Sequence, residues 1–292
     1  MKGDRKLILG IDVGNYATKA SPDVIFKSSV ETLENIMGNK IKLELNGEVF
    51  YIGESNIETM LNKAKKTNII PLLTTAILLS TKDICNSVVL GLPIGQFKEH
   101  KEDLKERILS FKFKNLKLND EPRNLIIKEC EIYPESLATY YSLNINKDCI
   151  IVDIGGRTTD ICYIRAGKLM NNSTLAIGTL NIYSDVSRYL NNKYALNIDH
   201  EHAEKIIQQG YLKVDGADID LSFIKATLRD NFIKINRELE LNYPVSTEQI
   251  ILTGGGGKLF ENAFNRRYKT ILADNYIYSN AIGFKKVAEM IF

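Results

Sequence analysis

Two apolar runs in this chain break in the same way. In Leu7-Ile8-Leu9-Gly10-Ile11-Asp12-Val13-Gly14-Asn15-Tyr16-Ala17-Thr18-Lys19 a hydrophobic stretch meets an Asp, then a Gly turn, then Thr-Lys. About half the chain later, Cys149-Ile150-Ile151-Val152 runs into Asp153-Ile154-Gly155-Gly156-Arg157-Thr158-Thr159-Asp160 and returns as Ile161-Cys162-Tyr163-Ile164. Continuous apolar runs of this length read as buried strands. Each pair therefore predicts a strand, a polar glycine turn and a return strand. A polar hairpin turn alone would be routine. Two matching copies predict two similar domains that face one another.

The remaining pattern fills in the elements between them. Ser21-Pro22-Asp23 reads as a turn before a short strand, Val24-Ile25-Phe26, and residues 30–40 read as polar and irregular. Residues 41–45 and 48–53 alternate with period two around Asn46-Gly47, a type I′ hairpin signal. Residues 56–66 carry a helical charge pattern ending in Lys63, Lys65 and Lys66. Residues 70–80 are apolar almost throughout and read as a buried helix with Pro71 in its first turn. A buried strand is expected at 87–92 and an exposed amphipathic helix at 96–110. Residues 113–128 read as strands around a turn at 119–122. The strand at 129–133 leads through Pro134 into a helix, with Glu135 in its first turn. Further helices are expected at 180–190, at 200–209 closed by Gly210, at 221–241, and at the C-terminal end. The apolar stripe of 221–241 reads as core. Strand 249–253 runs into four glycines, Gly254, Gly255, Gly256 and Gly257, with a helix beginning at Leu259-Phe260.

Composition narrows the class. The chain has 292 residues, 44% hydrophobic and 25% charged, which is ordinary for a soluble globular protein with one large or two medium domains. A net charge of +2 gives no argument for direct DNA or membrane affinity. No apolar run approaches the ~18 residues of a membrane span, and Asp12 interrupts the first one, so the start reads as a strand and not a leader. Cys85, Cys130, Cys149 and Cys162 lack CxxC spacing, and free thiols in a reducing cytoplasm are expected. His200 and His202 form an H-x-H pair, read as the start of an exposed helix more readily than as metal ligands.

The glycine turns carry the candidate chemistry. Backbone N–H groups of such turns close on anions, and a carboxylate beside them makes sense when a divalent cation sits between. Asp12 and Asp153 are the candidate Mg²⁺ residues, acting through water. Gly14, Asn15, Tyr16, Thr18, Lys19, Gly155, Gly156, Arg157, Thr158 and Thr159 are candidates for holding phosphates, and Arg157 is expected to point to solvent. The chain lacks GxxxxGK[ST] and GxGxxG, which excludes a P-loop and counts against a dinucleotide fingerprint. Glu135 is the candidate for orienting a hydrolytic water, with Asp160 second.

Taken in order, LGIDVGNYATK, YPES, IVDIGGRTTD, LTGGGG and SNAIGFKKVA resemble the phosphate-1, connect-1, phosphate-2, adenosine and connect-2 motifs of the actin-like ATPase superfamily. The Asn46-Gly47 hairpin, Gly91-Leu92-Pro93 and the PES triplet narrow the likeness to plasmid-segregation actins of the ParM/StbA type. The resemblance implies an α/β fold of the actin-like, ribonuclease H-like kind, with a nucleotide cleft between two domains. Residues 1–148 with the C-terminal helix 275–292 would form the first domain and 149–274 the second. It implies ATP or GTP as substrate with Mg²⁺, and hydrolysis coupled to self-assembly into filaments. It further implies a DNA-binding adaptor on a plasmid centromere as partner, and cytoplasmic localisation. Glu204 matches the family's nucleoside-contacting Glu, and Gly254–Gly257 its adenosine loop. Ile207 stands where a Lys is common, which leaves ATP against GTP open. A sugar or acid kinase of the same fold and a nucleotide-locked scaffold are the alternatives.

Overall fold

The computed structural model describes residues 7–20, 23–33, 41–57, 60, 62–143, 145 and 147–292. In the first half, strands β1 (Leu7–Val13), β2 (Ala17–Ala20), β3 (Val24–Lys27), β4 (Ser29–Glu31), β5 (Ile41–Leu45) and β6 (Glu48–Ile57) precede helix α1 (Ile69–Ser80). Then come β7 (Cys85–Leu92), α2 (Ile94–Ser110), β8 (Lys117–Leu118), β9 (Glu121–Pro122), β10 (Ile126–Pro134) and α3 (Leu137–Ser142). The second half runs β11 (Cys149–Ile154), β12 (Thr159–Arg165), β13 (Lys168–Leu175), α4 (Thr179–Tyr194), α5 (His200–Gln209), β14 (Lys213–Val214) and β15 (Ala217–Asp218). It closes with α6 (Ser222–Asn242), β16 (Gln249–Thr253), α7 (Gly255–Asn265), β17 (Thr270–Leu272) and α8 (Ser279–Ile291).

Two five-stranded sheets share one plan. The first has order β10-β7-β1-β2-β3, the second β13-β12-β11-β16-β17. In each, an antiparallel three-strand meander comes first and two parallel strands are then added beside its first strand. The register is shared as well: Asp12 pairs with Lys19, and Asp153 with Asp160. A third, antiparallel sheet, β4-β6-β5-β8-β9, is attached to the first half. Its β5–β6 turn has Asn46 at φ 57° and Gly47 at φ 88°, the doubly positive φ of a type I′ hairpin.

Helix α8 ties the molecule together. It lies against β1, β7 and α3, so the last helix of the chain completes the core of the first half. The approach is backbone to backbone. A Cβ on Gly10 would stand 2.1 Å from the Ala281 carbonyl oxygen, and one on Gly283 would stand 1.9 Å from that of Ala138. On its other side α3 places Tyr140 among Cys149, Ile151 and Cys162 of the second sheet.

Three expectations need correction. The charge pattern at 56–66 gives no helix among the described residues there. Strand β6 runs to Ile57 and only a 3-10 turn, Lys63–Lys65, follows. Glu135 lies in the turn before α3, where Ser136 takes φ 54°, and not in the helix. The glycine run is not a loop of four. Gly254 alone turns the chain (φ 76°), and Gly255–Gly257 form the first turn of α7. The Ser21-Pro22 turn and the stretch 34–40 lie outside the described residues. All four cysteines are free, three of them buried.

The close approach around α8 is testable. Gly283→Ala should cost ~1–3 kcal/mol in urea unfolding, because backbone cannot give way as a side chain can. Gly255→Ala should be neutral or stabilising by up to ~1 kcal/mol. Its Cβ would meet nothing within 4 Å.

Candidate functional site

The shared strand plan puts the two Asp-bearing turns at the same end of their sheets. The turns touch: a Cβ on Gly156 would stand 2.7 Å from the Tyr16 Cβ. Between the sheets lies a cleft of about 180 Å³.

Of the residues named from the sequence, Asp12, Gly14, Asn15, Tyr16, Lys19, Glu135, Asp153, Gly155, Gly156, Thr158, Asp160, Glu204, Gly254 and Gly255 line this cleft. The others do not. Thr18 is fully buried and its hydroxyl is engaged with Ser28 Oγ at 2.8 Å. Thr159 donates to the Ile177 carbonyl, also at 2.8 Å. Gly256 and Gly257 are packed inside α7, against Ile154 and Leu252. Arg157 is half-buried, with its Nε shut off from water and unpartnered among the described residues.

Local structure explains the glycines. The Gly155 and Gly156 carbonyls accept from the N–H groups of Thr179 and Leu180 at 3.0 and 2.8 Å, so α4 begins on this turn. Its N-terminal end, with the positive pole of the helix dipole, therefore faces the cleft. Gly254 sits so near Asp153 that a Cβ would be 2.4 Å from its Oδ1.

Four carboxylates, Asp12, Glu135, Asp153 and Asp160, line the cleft, each at most 8% exposed. Two lysines hold the first. Lys19 Nζ donates to Asp12 Oδ2 at 3.3 Å and Lys63 Nζ to Asp12 Oδ1 at 3.2 Å. Lys63 also donates to Glu135. Burial pushes the Asp12 carboxyl up, but Lys19 and Lys63 outweigh it and hold it below its usual range. Burial drives Glu135 upward, only partly offset by Lys63. Lys63 itself would be lowered by burial, yet Glu135 and Asp12 keep it above its ordinary value. Among the described residues no cation bonds the second-sheet acids, and Lys19 and Lys63 lower them only from a distance. Asp153 is pushed up to about 7 by burial and by the charge of Glu135, although Asn280 Nδ2 donates to its Oδ2 at 2.6 Å. Asp160 is pushed up to about 8 for the same two reasons, with the Thr174 hydroxyl donating to it at 2.5 Å.

At the mouth of the cleft Tyr16 donates to Glu204 Oε2, and Tyr183 donates to Glu204 Oε1 at 3.1 Å. Tyr16 and Tyr183 meet edge to face with centroids 6.1 Å apart. Lys27 pairs with Glu201 nearby. His202 does not face the cleft. Its backbone N–H and its ring engage Asp199 Oδ1, the N-cap of α5.

Sequence reasoning missed Lys63, Thr179, Tyr183, Tyr276 and Asn280, all of which line the cleft. The signal for Thr179 was present, since Gly178-Thr179 opens a helix directly after the hairpin. Lys63 and Asn280 lie 72 and 127 residues from the acids they bond, and local spacing carries no trace of that.

Two like sheets with acidic glycine turns opposed across a cleft make this an α/β protein of two similar halves. Comparison with known proteins gives the family. The model of the actin-like protein N-terminal domain matches residues 10–137, and that of the archaeal actin homologue MreB-like C-terminal domain matches 151–266. The chain belongs to the actin-like proteins. No curated protein matches the chain by sequence. Among solved structures, the archaeal actin homologue Ta0583 superposes with TM-score 0.82 at 19% identity, covering 97% of this chain and 99% of that one. Its complex with ADP gives TM-score 0.80 at 20% identity, covering 97% and 99%. The 15-stranded ParM filament from Clostridium botulinum gives TM-score 0.78 at 21% identity, covering 98% and 99%. At these identities the likeness concerns the fold.

The raised acids give a pH prediction. Native Asp160 (about 8, against an ordinary 3.8) keeps a proton that the unfolded chain loses above about pH 4. Stability should therefore fall as pH rises between those values, by at most ~1.4 kcal/mol per pH unit for one group. Asp160→Asn keeps an acceptor for Thr174 and should remove that part of the slope. Melting of the nucleotide-free protein from pH 5 to pH 8, wild type against variant, measures it.

Proposed function

We propose that this chain is a cytoplasmic, filament-forming nucleotidase that binds ATP or GTP with Mg²⁺ between its two sheets and hydrolyses it on assembly. The observation that carries this reading is the opposition of two glycine turns, each with a buried Asp, across a cleft whose four acids are balanced by two lysines and by retained protons. A divalent cation brought in with a polyphosphate would take the place of those protons and offset the charge of the phosphates. The donor set fits Mg²⁺. No three Asp, Glu, His or Cys side chains converge into a metal cage among the described residues. Asp12 and Asp153 would hold the ion through its waters, as Mg²⁺ prefers. When bound, Mg²⁺ neutralises charge on the phosphates. The backbone of Gly14, Asn15, Gly155 and Gly156 and the hydroxyl of Thr158 cradle the phosphate oxygens, Lys19 adds a cation, and Glu204 meets the nucleoside.

Glu135 orients the attacking water, because its buried carboxylate lines the cleft and shares Lys63 with Asp12. Asp160, also raised by burial, supports from the second sheet. In this reading residues 1–148 with 275–292 move as one jaw and 149–274 as the other. Self-assembly is supported by the ParM filament among the fold's relatives. By the same likeness we assign the work to plasmid segregation, through a separate DNA-binding adaptor on the plasmid centromere. The near-neutral net charge of +2 agrees with a chain that leaves DNA contact to a partner. No helix among the described residues is long and apolar enough to cross a membrane.

Electron microscopy and pelleting with Mg²⁺ and a slowly hydrolysed ATP or GTP analogue should show filaments, and a chain that stays monomeric under these conditions refutes the assembly reading. Glu135→Gln should bind nucleotide but release phosphate ~100-fold more slowly or worse. Unchanged release would remove Glu135 from the water-orienting role.

A further inference from the structure

Lys63 is the largest fully buried side chain in the molecule among the described residues, at 1% exposure, and it is a charged one. Burying an ammonium is costly unless it is paired. Here it is paired with Asp12 and Glu135, the two first-sheet acids of the cleft. Its placement is built, not incidental. The 3-10 turn that carries it is fastened to α2: the Lys63 N–H donates to Gln96 Oε1 at 2.8 Å, and Arg107 donates to the Ala64 carbonyl at 3.2 Å. The same turn sends Lys66 to Asn15 Oδ1 at 2.5 Å, so two of its lysines enter the cleft region together.

We infer that Lys63 is a γ-phosphoryl contact that also gates Glu135. The inference rests on the nucleotide reading above. An ammonium has three donors, and the two carboxylates take two of them. Without nucleotide, Lys63 holds Glu135 Oε1 in an ion pair and turns that oxygen away from a water aligned for attack. A terminal phosphoryl group in the cleft offers the lysine several charged oxygens in place of one carboxylate. Lys63 turns to that group, and Glu135 is left as an acceptor for water. A diphosphate ends short of this position and leaves the Lys63–Glu135 pair intact. The chain would thus distinguish triphosphate from diphosphate with a residue whose turn is anchored to α2.

The test is the ratio of affinities. Wild type, Lys63→Met and the double variant Lys63→Met/Glu135→Gln are each titrated with Mg²⁺ and either a slowly hydrolysed triphosphate analogue or the diphosphate. Thermal melts check that each is folded, and the double variant removes the unpaired acid that could unfold the single one. Lys63→Met should weaken triphosphate binding ~10-fold while diphosphate binding stays within about twofold. The double variant should show the same lost preference. Equal weakening of both nucleotides, or of neither, overturns the inference and leaves Lys63 as a neutralising ion only. Wild type that binds neither nucleotide instead overturns the nucleotide reading on which this rests.

Discussion

Crowded buried carboxylates are the constraint around which this molecule is arranged. Asp12 and Asp153 occupy equivalent register positions in two sheets of one plan, and closing the sheets on each other brings both acids into one cleft with Glu135 and Asp160. Such charges cannot be left alone in a low-dielectric site. The first sheet answers with cations, Lys19 and Lys63. The second answers with protons, retained by Asp153 and Asp160 near neutral pH. The balance on the second sheet is held by protons and therefore shifts with pH near neutrality.

The duplicated plan also shows where the halves have diverged. Lys19 and Asp160 stand at the same place opposite their respective partner acids. One jaw therefore presents a cation and the other an acid at equivalent positions. The first half has further acquired the small antiparallel sheet, and the turn that follows its β6 carries Lys63. The cleft is thus asymmetric in charge although it is symmetric in strand order. The asymmetry places the water-orienting candidate and its lysine on one side and the uncompensated acids on the other.

Much of this was legible in the sequence, for a local reason. The Asp12 and Asp153 turns, the Asn46-Gly47 hairpin, the buried helix α1 and the closing helix α8 are each encoded within a dozen residues, by alternation, turn chemistry or an apolar run. The errors came where context overrides local pattern. The lysines at 63–66 look like the exposed end of a helix because nothing nearby announces the acids that draw Lys63 inward or the Asn15 side chain that draws Lys66. The glycines of 255–257 look like a loop because their intrinsic cost in a helix is real. They are tolerated since Gly256 meets Ile154 at a distance no side chain could accept. Thr18 and Thr159 have the hydroxyls that a phosphate would want, but strand pairing turns both inward, to Ser28 and to the Ile177 carbonyl.

The mouth of the cleft adds the last step. Tyr16 belongs to the first Asp turn, whereas Glu204 and Tyr183 belong to helices of the second half. Their bonds, with the Lys27–Glu201 pair, join the two halves on the side opposite α3 and α8. Desolvation and Glu204 raise the Tyr16 hydroxyl well above its usual range, so it remains a donor throughout the neutral pH range. A nucleoside that engages Glu204 must compete with these phenols. On the proposed reading, a ligand that took Glu204 from these phenols would loosen one link between the halves, and one that spanned Asp12 and Asp153 would create another.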